Sequence, residues 1–203
     1  MRALALFLLF SSAAHPALSE IFQIQGTTLI YDTEGDDDTE IDNDHPELLL
    51  EMLRAHDDIE TLQLNSGGGK IWPAHEMADT IIDFELNTHV HGKCESACVR
   101  IFLAGATRTM SRGSKLGFHQ FYWGPEDAED YYDTNKVASD WSSPFDFVSW
   151  VYTDTQQEVY EHLSYMIRRN VDADFAVRSI AIQGHDMWRP YRKELLAAGV
   201  LTE

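Results

Sequence analysis

Ile59-Glu60-Thr61-Leu62-Gln63-Leu64-Asn65-Ser66-Gly67-Gly68-Gly69 is the stretch on which the fold class turns. Ile59 to Leu64 reads as a short strand running straight into three glycines, which allow positive φ and close backbone approach. Beyond them Ala74, Met77, Ala78, Ile81 and Ile82 fall at i, i+3, i+4, i+7 and i+8, the spacing of an amphipathic helix. Thr88 to His91 predicts a second strand, which Gly92 turns into a helix with Ala97, Ile101 and Phe102 inward, stopped by Gly105. Lys115 to Phe121 predicts a third. Strand and helix alternate across residues 59–121, which points to parallel βαβ units in one α/β domain.

The flanks fit that frame. Residues 21–32 alternate and are rich in β-branched and aromatic types, so they read as a strand or hairpin. Gly35 to Glu40 is an acidic loop, and Pro46 stands in the first turn of a leucine-rich helix reaching His56. On the other side, residues about 122–150 are acidic and aromatic and read as an insertion. Val159, Leu163, Met166 and Ile167 mark a long helix, and Arg192 to Ala198 a last one capped by Gly199.

The amino terminus reads as a secretory signal peptide. Arg2 precedes an apolar run, Ala3 to Phe10, and Ala17-Leu18-Ser19 before Glu20 resembles an A-x-A cleavage site. Cleavage there leaves residues 20–203 as the exported domain, with no further run of membrane length. The chain carries 15 basic and 34 acidic residues, a net charge of −19. Nucleic acid and anionic membrane are poor partners for it, because the electrostatic contribution has the wrong sign.

Two strand-to-helix turns carry candidate chemistry. N–H groups around the first can hold an anion. The second, Gly92-Lys93-Cys94-Glu95-Ser96-Ala97-Cys98, sets a serine at a helix start, beside N–H groups suited to a developing oxyanion. His119, in Leu116-Gly117-Phe118-His119-Gln120, ends the next strand. Parallel strand ends share one edge, so Ser96 and His119 are expected to meet there. Taken singly, each reads rather as an ordinary N-cap serine and a surface histidine.

Together, Leu64-Asn65-Ser66-Gly67-Gly68-Gly69, Gly92-x-x-x-Ser96-Ala97 and Leu116-Gly117-Phe118-His119-Gln120 resemble three signatures of the Clp protease proteolytic subunit, whose fold is shared with the crotonases. An exported branch with Cys-x-Ser-Ala-Cys around the serine resembles the chain more closely. The resemblance covers residues 50–121, loosely the C-terminal stretch, and not 122–170. It implies stacked ββα units, with Ser96 as nucleophile, His119 as general base, and the Gly68 and Ala97 N–H groups as oxyanion hole. It implies a third residue at Asp186, with Asp172 and Asp174 as alternatives. Two departures stand out: Gly67 replaces the family's proline, and Glu95 replaces a small residue beside the nucleophile. A carboxylate there disfavours an oxyanion unless its side chain points away.

Cys94 and Cys98 bracket Ser96, and three readings stay open: a disulfide bracing the turn in an oxidising compartment, two buried small hydrophobes, or zinc with His89 and His91. The spacing matches no structural zinc pattern. The acidic loop from Asp36 to Glu47 lacks the glycine of a calcium loop, with Ile41 in its place, so no metal or other cofactor is expected. His45, His56, His75, His162 and His185 read as surface or capping residues. Trp123, Tyr131, Tyr132, Trp141, Phe145, Phe147 and Trp150 form a satellite core, a subunit contact or an apolar wall for a peptide; the fold commonly assembles into homo-oligomers through that region.

The expectation is an exported, periplasmic or secreted serine hydrolase acting on peptides or proteins through an acyl-enzyme. No ATP-binding motif accompanies it. The alternative is a catalytically inactive binding or scaffold protein of the same fold; a crotonase-like thioester enzyme fits poorly, because coenzyme A substrates are cytoplasmic.

Overall fold

The computed structural model describes residues 21–35 and 39–203. The signal peptide expected over residues 1–19 lies outside them. Two strands, β1 (Phe22–Gln25) and β2 (Thr28–Asp32), form an antiparallel hairpin around Gly26. Then follow α1 (His45–Ala55), β3 (Thr61–Ser66), α2 (Ile71–Asp83), β4 (Asn87–Glu95), α3 (Cys98–Leu103), β5 (Arg108–Met110) and β6 (Lys115–Gly117). The sheet runs β1-β2-β3-β4-β5, with β6 also on β4, and every pairing after the hairpin is parallel. The fold is therefore mixed α/β with a mostly parallel sheet, as the alternation across residues 59–121 predicts.

Alternation sets the sheet's inner face: Leu29, Tyr31, Leu62, Leu64 and Val90 are fully buried. Ala74, Met77, Ala78 and Ile81 of α2 are buried against it, while Ile82 at the edge of that stripe is exposed. Each fully buried aliphatic side chain stabilises the domain by about 1.5–3 kcal/mol. Helix α3 buries Cys98, Val99, Ile101, Phe102 and Leu103, so the element that follows Ser96 is anchored in the core.

Two expectations are corrected here. Gly92 does not end its strand: β4 continues to Glu95, and Gly92 (φ +106°) is a kink within it. The Asn65 side chain fills the space a side chain at 92 would need, and it accepts from the Lys93 N–H at 3.0 Å while donating to Asp32 at 3.0 Å. Next, β6 stops at Gly117 rather than Phe121, because Phe118 pairs instead with Trp188 of the C-terminal segment. The short β5 went unread, since its centre of interest is a buried cation: Arg108 donates to the carbonyls of Val200 and Gly199 at 2.9 and 2.8 Å. That pins the C-terminal segment to the sheet.

Residues 122–150, read as an insertion, hold one helix and the start of another. Helix α4 (Pro125–Asn135) buries none of its residues, and α5 (Pro144–Arg168) starts on a Ser143–Asp146 capping box. Trp123, Tyr131, Tyr132, Trp141, Phe147 and Trp150 stack there, for instance Trp141 on Phe147 at 5.0 Å, whereas Phe145 is exposed. Helices α6 (Ala173–Ser179) and α7 (Arg192–Ala197) close the chain. No helix among the described residues is long and apolar enough to cross a membrane.

Candidate functional site

The sharp turn falls one residue past β4, at Ser96. Its φ of +54° is a left-handed conformation that a serine adopts at a cost of about 1–3 kcal/mol. Three contacts hold it there. The Ser96 N–H donates to Gly117 O at 3.0 Å. Cys94 and Cys98 lie with Cα atoms 5.3 Å apart and their sulfurs joined across the turn. Gly68 (φ +109°) packs so closely that a Cβ on it would stand 2.7 Å from the Ser96 Cβ and 3.2 Å from the Ala97 nitrogen. The first glycine turn and the serine turn are thus in direct contact.

The Glu95 carboxylate is engaged by Arg189. The side chain is buried over Gly117 and accepts two hydrogen bonds from Arg189, Nε at 2.6 Å and Nη2 at 3.1 Å. A bidentate guanidinium neutralises the carboxylate and fixes its direction, so its charge is spent on Arg189. Sequence reasoning missed Arg189. The only signal was negative: a glutamate in a buried strand end needs a cation, and nothing local supplies one.

The donors differ in availability. The Ala97 N–H has no acceptor among the described residues. The Gly68 N–H makes a 3.2 Å bond to Ser66 Oγ, which also accepts from Thr33 at 2.8 Å. Glu34 takes the Gly67 N–H at 2.7 Å and pairs with Lys93. The anion expected at the first turn is therefore the protein's own carboxylate. Backbone bonds from Ile41 N–H to Gly68 O (2.8 Å) and from Lys70 N–H to Ile41 O (2.9 Å) hold the glycine loop in place.

His119 follows Gly117 by two residues, about 7 Å of extended chain, so topology brings it to the same edge as Ser96. Its Nδ1 lies 2.7 Å from Gln120 O. A carbonyl only accepts, so Nδ1 carries the proton and Nε2 of the neutral ring is left with a lone pair. Among the described residues no hydrogen bond joins His119 to Ser96. Tyr122 flanks the ring at 5.8 Å.

Asp186 belongs to the segment that runs beside Phe118–Gln120: Phe118 and Trp188 exchange backbone bonds at 2.9 Å, and Gln120 N–H reaches Ile182 O at 2.8 Å. Its carboxylate is exposed and makes no hydrogen bond among the described residues. Asp172 instead caps α6 through the Phe175 N–H at 3.0 Å, and Asp174 sits exposed in that helix's first turn.

The histidines set aside as surface residues are partly core. His45 is buried and its Nδ1 meets Tyr31 Oη at 2.7 Å. His75 and His162 are each pushed down to about 4, first by burial and then by the neighbouring Arg100. His162 packs edge-on against Phe121, two residues past His119. His89 and His91 share Ser111 Oγ at 2.9 and 3.2 Å. No group of three or more metal-ligating side chains gathers among the described residues.

No protein-family model and no curated protein matches the chain. Among solved structures the fold is similar to that of a mutant of ClpP1 from Listeria monocytogenes, with a TM-score of 0.56 over 88% of this chain and 90% of that one. Sequence identity is 15%, so the likeness is one of fold: a Clp-protease-like α/β domain.

Proposed function

We propose that the chain is an exported serine hydrolase, acting on peptides or proteins by a Ser96–His119 acyl-enzyme mechanism without ATP. The observation that carries the reading is the left-handed Ser96 wedged against Gly68, a strained turn of the kind that accumulates at active sites. In this mechanism His119 Nε2 takes the Ser96 hydroxyl proton as Oγ attacks the substrate carbonyl. The oxyanion is met by the Ala97 N–H and by the Gly68 N–H once it turns from Ser66. Collapse of the tetrahedral adduct passes the proton from His119 to the leaving amine. Water then repeats the sequence on the ester, releasing acid and restoring Ser96. Gln120 O holds the tautomer in the resting chain, and the reading assigns Asp186 as the third residue, which has to move into contact with His119 to support the imidazolium.

Export rests on residues 1–19 and on the paired cysteines at the turn, a pairing suited to an oxidising compartment. A homo-oligomer is supported by the exposed apolar residues Phe145, Val148, Tyr152, Tyr160 and Ile167 along α5.

A second reading, a non-catalytic binding protein of this fold, is favoured by one feature: Ser96 and His119 share no hydrogen bond. Such bonds are often long without substrate, so an experiment decides. Residues 20–203 are incubated with a mixed peptide library beside Ser96→Ala. The hydrolase reading expects cleavage products by mass spectrometry from the parent and none from the variant. Peptide retention without cleavage by folded parent protein favours the second reading.

A further inference from the structure

A groove of about 430 Å³ lies between residues 110–115 and 189–192, on the strand-start side of β6. Its lining contains Arg112, Lys115, Arg189 and Arg192 and not one acid. That is four of the chain's 15 basic residues, in a protein with 34 acidic ones to place. Glu95 compensates Arg189 from behind the lining, which leaves Arg112, Lys115 and Arg192 as the groove's unbalanced charges.

The walls are prebuilt. Arg192 is fixed by bonds to Met110 O at 2.9 Å and Glu203 O at 3.0 Å, and Arg189 by Glu95. Ser114 accepts the Gly92 N–H at 3.1 Å, and Ser111 is held between His89 and His91. Arg112 and Lys115 differ: both are exposed, and their side chains make no ion pair or hydrogen bond among the described residues. Two uncommitted cations beside the fixed Arg192 form an arrangement suited to an anion.

We infer that this groove binds a ligand carrying clustered oxyanions, phosphate or carboxylate, at Arg112 and Lys115 with Arg192 behind them. The site is separate from Ser96 and does not depend on the hydrolase reading. Inorganic pyrophosphate and a tetra-aspartate peptide are titrated calorimetrically into residues 20–203, at low and at high salt. At least one binds one-to-one, with a dissociation constant at or below about 1 mM, and binds more weakly in high salt. Arg112→Gln/Lys115→Gln weakens it about tenfold or more, whereas Lys136→Gln, just past α4, leaves it unchanged. Pyrophosphate alone identifies a phosphate ligand, tetra-aspartate alone an acidic peptide, and both a general oxyanion site. Binding by neither probe, or binding indifferent to the double substitution with the fold intact by circular dichroism, overturns the inference.

Discussion

The two sides of the candidate site are held in unlike ways. Around Ser96, a backbone bond to Gly117, a joined cysteine pair, a bidentate Glu95–Arg189 contact and the packed Gly68 act on one turn. Around His119 the backbone is tied to Trp188 and Ile182, but the side chain has one bond to the neighbouring carbonyl, a ring contact with exposed Tyr122, and an exposed Asp186 that does not reach it. The nucleophile side is built in advance, and the base side is left for something else to order. Substrate or a second copy of the chain would complete it, in keeping with the apolar stripe on α5.

The sharpest way to break that contrast is Gly68→Ala. The new Cβ meets Ser96 Cβ and the Glu95 carbonyl at 2.7 and 2.9 Å, on a backbone of positive φ. Destabilisation of about 3 kcal/mol is expected, read as a lower midpoint in urea. A midpoint within error of the parent would mean the turn is not rigid.

Acid should loosen the packing around Arg100, the cation that His75 and His162 share. His75 and His162 fall from 6.5 to about 4 in the folded chain. The native state therefore binds fewer protons than the unfolded one below pH 6.5. Stability is full above that and is lost as pH falls towards 4, by about 3 kcal/mol for each histidine. Thermal melts across this window should flatten in His162→Gln; an unchanged slope contradicts the assignment.

Much of this was legible in sequence, for physical reasons that differ by element. The α2 stripe and the strand entering Gly67 were readable because they pack locally with a fixed period. Ser96 and His119 could be set on one edge because parallel strands share their ends. Arg189 and the Gln120 carbonyl were not readable, since both act through a pairing between segments distant in sequence or by backbone atoms. The helix of residues 125–135 was hidden because it buries nothing and so carries no apolar period.

Smaller effects sharpen the contrast further. Cys94→Ser/Cys98→Ser should cost about 2 kcal/mol, the entropy of so short a loop, in chemical denaturation of oxidised protein. An equal loss in fully reduced parent would attribute it to the bond. Arg189→Ala leaves a buried carboxylate beside the nucleophile and should slow acylation of Ser96 about tenfold, with Glu95→Gln/Arg189→Ala recovering most of it; failure of the double variant to recover would place Arg189's effect elsewhere. Asp186→Asn should change the acylation rate least, about two- to threefold, because Gln120 already orients His119. A loss of several hundredfold would show that Asp186 moves into contact during catalysis.

The most direct measurement is covalent labelling of residues 20–203 with a fluorophosphonate, beside Ser96→Ala and His119→Ala, with heat-treated protein as control. An activated serine on a prebuilt turn predicts label on the folded parent, confined to Ser96 by peptide mapping and absent from both variants. Folded, oxidised parent that takes no label, or takes it equally in Ser96→Ala, would contradict it.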